Sequence, residues 1–166
     1  VISITSFPRR MMGLRLVLFS VLQQNFKCKV YLWLAREEFP QLESIPMWLY
    51  RWQKKGFLEV RFVDGNMKSH KKYLYAMKEF SDKYIITLDD DIVLPSAYIE
   101  DLVIASQKTP NDVICGFSNR IAVSNGKLKK YSEWTSLTEN IVASKDCLPI
   151  GAGGCVYPPN SLNISV

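Results

Sequence analysis

Tyr84-Ile85-Ile86-Thr87-Leu88-Asp89-Asp90-Asp91 decides the fold. Five residues with strand-forming side chains run without a break into three carboxylates. A short apolar run bounded by polar residues reads as a fully buried strand. A buried strand that delivers three negative charges to its carboxyl end needs solvent or a cation there. In open α/β sheets, ligands bind outside the carboxyl ends of the strands. Continued strand alternation predicts Asp89 and Asp91 on one side and Asp90 on the other. Oxygen donors of this kind suit Mg²⁺ or Mn²⁺, ions that keep waters and share substrate phosphate oxygens. The simpler reading is a polar turn capping the next helix. Pro95 and Ser96 already supply a turn and a cap, which leaves the aspartates surplus to it.

Outward from that strand the pattern alternates. Val1–Thr5 is a short β-branched run, broken by Ser6-Phe7-Pro8. From Arg9 to Gln24, Leu14, Val17, Leu18, Val21 and Leu22 fall on one helical face. Lys29–Leu34 reads as a strand, and Ile45–Lys55 as a helix with Pro46 in its first turn and Gly56 as its stop. Phe57–Val63 is again a strand, and Met67–Phe80 a helix with Tyr73, Leu74, Met77 and Phe80 inward. Beyond the aspartates, Ser96 caps a helix whose buried stripe is Ile99, Leu102 and Val103, and Val113–Phe117 closes the series. Strands alternating with helices predict an α/β fold, a mainly parallel sheet with right-handed connections and helices on both faces. After Phe117 the periodicity fades, and Asn125-Gly126 signals a hairpin. A division near residue 118 therefore separates an α/β half, 1–117, from a smaller irregular portion, 118–166, of the same domain.

Composition bounds the function. The 166 residues suit one compact domain, and 48% hydrophobic residues supply a core. No apolar stretch approaches the roughly 20 residues of a membrane span. The chain lacks an initiator Met and a signal-peptide pattern, and reads as trimmed from a longer one. The net charge of +5, with clusters at Lys68/Lys71/Lys72 and Lys127/Lys129/Lys130, favours anionic partners. No recognition motif accompanies it, so nucleic acid is not the expected partner. Cys28, Cys115, Cys147 and Cys155 form no Cys-x-x-Cys pair and His70 is the only histidine, which disfavours a zinc site. Cys28 and Cys115 read as reduced core thiols, consistent with a cytoplasmic setting. Asn163-Ile164-Ser165 is a sequon, relevant only in a secretory compartment.

Five segments in this order resemble the GT-A glycosyltransferases, specifically bacterial family-2-like enzymes. They are Ile4-Thr5-Ser6-Phe7-Pro8; Trp33-Leu34 with Glu38-Phe39-Pro40; Lys68-Ser69-His70-Lys71-Lys72; Ile85 to Ile92 with Pro95; and Gly151-Ala152-Gly153-Gly154 with Tyr157-Pro158-Pro159. The resemblance covers nearly the whole chain. It implies a metal-dependent hexosyltransferase of polysaccharide biosynthesis, with a UDP-type nucleotide-sugar donor and a glycan or lipid-linked acceptor. It also implies peripheral contact with the inner face of the membrane. Carried over, it places Thr5, Ser6 and Pro8 beside the donor nucleotide and Asp64 at its base. Lys71 or Lys72 would meet the diphosphate or uracil, Asp89 and Asp90 the nucleotide, and Asp91, with Asp89, the Mn²⁺ or Mg²⁺ of an Asp-x-Asp motif. Arg120, Trp134 and the Gly151, Gly153, Gly154 loop would shape the acceptor side. The plainer readings are a turn at Ser6 and Asp64, a solvated helix face for the lysines and His70, a tight turn for the glycines and a core position for Trp134.

The acidic general base of inverting relatives follows the Pro-Pro segment. That position falls beyond Val166, which leaves Glu133 and Asp146 as weak substitutes. Asp89-Asp90-Asp91-Ile92-Val93 also satisfies the pattern of haloacid-dehalogenase-like phosphatases, with Asp89 as nucleophile and Asp91 as acid/base. That fold needs the motif on its first strand. A non-catalytic nucleotide- or sugar-binding module is the remaining alternative.

Overall fold

The computed structural model describes residues 1–41, 44–137 and 143–161. The sequon at Asn163 lies outside them. A seven-stranded sheet organises the chain, in the order β3-β2-β1-β4-β9-β5-β8. β1 (Ile2–Thr5), β2 (Val30–Ala35), β3 (Glu59–Val63) and β4 (Ile85–Leu88) are mutually parallel neighbours. β5 (Ile114–Arg120) does not lie beside β4. The long β9 (Cys147–Tyr157) inserts between them, antiparallel to both, and β8 (Thr135–Leu137) closes the edge. The sheet is thus parallel on its first half and mixed on its second. β5 runs without interruption through residue 118. β6 (Val123–Ser124) and β7 (Lys127–Leu128) form a separate hairpin, with Asn125 and Gly126 both at positive φ, as the Asn-Gly pair requires.

Alternation along the strands sorts the core into two layers. Ile2, Ile4, Leu32, Leu34, Ile86 and Leu88 meet Leu14, Val17, Leu18 and Val21 of α1 (Met11–Leu22), Leu49 of α2 (Met47–Lys54) and Ile99 and Leu102 of α4 (Tyr98–Lys108). On the opposite face Tyr31, Trp33 and Ile85 meet Ala76, Met77 and Phe80 around α3 (Lys71–Glu79). Helices therefore cover both faces.

Three local expectations need correction. Ser96 does not cap α4, whose N-cap position is Ala97 without a side-chain bond. The acceptor comes from just past the end of α1: Gln24, fully buried, takes the Ile99 N–H at 2.9 Å and donates to the Pro95 carbonyl at 2.7 Å. With Ser20, which accepts the Leu94 N–H, it straps the segment after the aspartates to α1. The glycines at 151–154 form no loop. They lie inside β9, whose residues 150 and 155 pair with 117 and 115 of β5, so the glycine run bulges out opposite Gly116. The helix around residue 70 begins as a 3-10 turn at Lys68, and its buried face includes Lys71 and Lys72.

Candidate functional site

The parallel strands β1 to β4 all end at one edge, and the polar side chains gather there. β4 ends at Leu88 and the chain bends at Asp90 and Asp91. The bend overturns the simple alternation. Asp89 points to the α3 face and pairs with the Lys72 ammonium. Asp90 and Asp91 both face α1, where the Arg10 guanidinium holds them at 2.6 and 2.9 Å. Asp90 is buried and also accepts the Ser6 hydroxyl at 2.6 Å. The three carboxylates thus do not converge on a point. Their repulsion is relieved by two cations of the chain itself, and Asp90 with Asp91 holds the Arg10 guanidinium further above its ordinary range.

Arg10 was absent from the residues expected at the site. Its signal is local: a basic pair directly after Pro8, in the 3-10 turn that carries the chain from β1 into α1. Pro8 opens that turn at its first position, where a missing N–H costs nothing. The Thr5 hydroxyl donates to the Trp33 carbonyl of β2 at 2.8 Å.

The lysines are not a solvated helix face. Lys71 is 2% and Lys72 6% exposed, on the face of α3 turned toward the sheet, with their ammonium groups reaching polar partners. Ser3 donates its hydroxyl to the Lys72 carbonyl and receives the Trp33 indole N–H at 2.8 Å. Lys71 reaches Asn66 Oδ1 at 2.8 Å and lies 3.8 Å from Glu38 Oε2, an ion pair too long for a hydrogen bond. Glu38 Oε2 is left buried without a hydrogen-bond partner. Burial lowers the Lys71 pKa from its ordinary value, with Glu38 opposing. Asp64 stands in solvent, 3.4 Å from Arg36.

Of the glycines, Gly151 faces the cleft. A Cβ there would sit 3.5 Å from Lys72 Nζ and 3.6 Å from Asp89 Oδ2, in ordinary contact. Gly153 and Gly154 serve packing: added Cβ atoms would come within 2.4 Å of Phe117 and 2.7 Å of Leu88. Tyr98 of α4 fixes the bulge by donating to the Gly153 carbonyl at 2.7 Å. The remaining expected residues make other contacts. Trp134 packs on Tyr131 and donates to the Lys129 carbonyl. Glu133 pairs with Lys129, and Asp146 pairs with Arg120. His70, exposed, contacts the Tyr73 hydroxyl.

No group of three or more His, Cys, Asp or Glu side chains converges as a metal cage among the described residues. A divalent ion that keeps its waters needs less. Asp91 is half exposed and uses only Oδ2 toward Arg10, which leaves an oxygen for such an ion. Asp91 fits that role; Asp89 fits it only by releasing Lys72.

A seven-stranded, half-parallel sheet with helices on both faces and three aspartates after its central β4 is a GT-A-like α/β fold. The model of glycosyl transferase family 2 matches residues 49–157, well over half of the chain, which belongs to that family. S. aureus TarS 1–349 is similar in structure, with a TM-score of 0.54 at 14% identity over 69% of this chain and 34% of that one. A 4-diphosphocytidyl-2C-methyl-D-erythritol synthase has a TM-score of 0.55 at 9% identity, covering 96% of this chain and 73% of that one. At these identities the likeness concerns the fold. The chain spans about a third of the TarS 1–349 chain. No curated protein matches it in sequence.

Proposed function

We propose that this chain is the donor-binding part of a metal-dependent glycosyltransferase that moves a hexose from a nucleotide diphosphate, of UDP type, to a glycan or lipid-linked acceptor. The observation that carries this reading is the meeting of Lys72–Asp89 and Arg10–Asp90/Asp91 at the carboxyl edge of β4, in a member of glycosyl transferase family 2.

Each group has a role that its chemistry permits. Asp64 and the Lys71–Asn66 pair border the base and ribose, beside Thr5 and Ser6. Lys72 lies beside Gly151, where no side chain separates its ammonium from an incoming diphosphate. Asp90, locked by Ser6 and Arg10, orients the bend. Asp91, whose second oxygen is free of Arg10, would hold Mn²⁺ or Mg²⁺, and Asp89 would be a second ligand once Lys72 turned to phosphate. The ion supplies Lewis-acid stabilisation of the diphosphate leaving group. Glu133 and Asp146, the weak candidates for a general base, pair with lysine and arginine at the surface. The phosphatase pattern needs its aspartates on the first strand, whereas these follow the fourth.

Titration with UDP, with and without Mn²⁺, tests the reading alongside a donor-hydrolysis assay. Metal-dependent binding with turnover supports it. Binding without turnover favours a non-catalytic module, and failure to bind any nucleoside diphosphate overturns it.

A further inference from the structure

Helix α1 is apolar on two opposite sides. Met11, Leu14, Val17, Leu18 and Val21 enter the core. Directly opposite, Met12 is 88%, Leu16 66% and Phe19 55% exposed, at the i, i+4, i+7 spacing of a single stripe. A helix that is hydrophobic all round is ordinarily covered on all sides, and large exposed apolar patches mark interaction surfaces. The charge around the stripe says what covers it. Residues 1–36 contain six cations and no Asp or Glu, and of the six only Arg10 and Arg36 pair with aspartates from elsewhere among the described residues. Arg15, on the rim of the stripe, and Arg9, before the helix, are exposed and make no ion pair among the described residues. Phe26 and Lys27 extend the same mixture beyond the helix end, both exposed. A second copy of this face would bring like charges together, which disfavours self-association. Apolar side chains framed by unpaired cations match the boundary between acyl chains and anionic headgroups.

We propose that the outer face of α1 docks on an anionic membrane surface, Met12, Leu16 and Phe19 entering the headgroup region and Arg9 and Arg15 meeting lipid phosphates. Arg10, two residues before Met12, holds Asp90 and Asp91, so docking brings the carboxyl edge of the sheet to the bilayer. If the transferase reading holds, the acceptor class this selects is lipid-linked.

Flotation of the protein with phosphatidylcholine vesicles, with and without 30% phosphatidylglycerol, tests the docking without donor or metal. The protein is expected to float with the anionic vesicles only and to be released at high salt. Leu16→Gln/Phe19→Gln should weaken partitioning by at least about tenfold, and Arg9→Gln/Arg15→Gln by about tenfold. Equal binding to neutral vesicles, or none to either, overturns the proposal. So does full binding by the Leu16/Phe19 variant, or loss of binding only on replacing Lys127, Lys129 and Lys130 of the β6–β7 hairpin. Concentration-dependent dimerisation that the Leu16/Phe19 variant abolishes would make the face a contact between copies instead. Unchanged melting temperatures of the variants confirm folding, and UDP and Mn²⁺ titration of the unaltered protein, read separately, keeps a failure of docking distinct from a failure of the transferase reading.

Discussion

On the two sides of the β4 terminus, the same chemistry is arranged differently. Toward α3, Asp89 meets a lysine whose side chain is 8% exposed; toward α1, Asp90 and Asp91 share an arginine whose side chain is 43% exposed. A buried partner leaves only when another charge takes its place, whereas a half-hydrated one exchanges water and ligands cheaply. The α3 side is therefore an anchor, and the α1 side is where carboxylate oxygen is open to an incoming ion.

The largest effect expected from this contrast is on chemistry. Asp91→Asn should lower metal-dependent transfer at least about a hundredfold, because the ion's stabilisation of developing charge amounts to several kcal/mol. Its melting temperature should barely move; a normal rate in Asp91→Asn would break the division of roles. Next comes the anchor. Lys72→Met should cost about 2–3 kcal/mol in denaturant unfolding, short of a fully buried pair because Asp89 keeps some water. Arg10→Gln should cost about 1–2 kcal/mol, less than Lys72→Met because Ser6 still holds the buried Asp90, and should tighten Mn²⁺ binding measured without nucleotide. Reversed stabilities in these two variants would show the anchor on the wrong side of β4.

Inside the β9 bulge the contrast repeats at smaller scale. Gly154→Ala, at φ 75° and with its Cβ 2.7 Å from Leu88 Cδ2, should destabilise by about 1–3 kcal/mol. Gly151→Ala should leave the melting curve unchanged while weakening UDP binding, since its methyl only enters the cleft. The smallest effect is chemical reactivity. Burial pushes the Cys155 thiol up to about 12, so at pH 8 an alkylating reagent should spare it until the chain unfolds, while half-buried Cys147 reacts first. Early labelling of Cys155 by mass spectrometry would show the β5–β9 seam to be open.

The parallel half was legible because each element there carries its own periodic signal. The runs 1–5, 29–34, 57–63 and 84–88 became β1 to β4 within two residues of the expected bounds. The carboxylate cluster was legible for the same reason, as a polar stop on an apolar run. β9 was not, since its middle is glycine, with little strand propensity. Pairing with β4 and β5 makes it a strand, and those partners are distant in sequence. Arg10 and Gln24 escaped for a related reason: their partners lie some seventy to eighty residues away. The burial of Lys71 and Lys72 goes with partners outside α3, Asn66, Glu38 and Asp89, and no pattern within α3 announces it.

The insertion of β9 beside β4 orders events during synthesis. β1, β2, β3 and β4 can pair as soon as residue 88 is free, but Ile86 of β4 waits for Val156, seventy residues later. At about 5–20 residues per second, that delay lasts roughly 4–14 seconds. Through it the aspartate-bearing strand is a naked sheet edge, able to recruit a foreign strand. The aspartate-bearing edge is thus sealed well after the parallel strands have paired, and charge at its tip discourages mispairing in the interval.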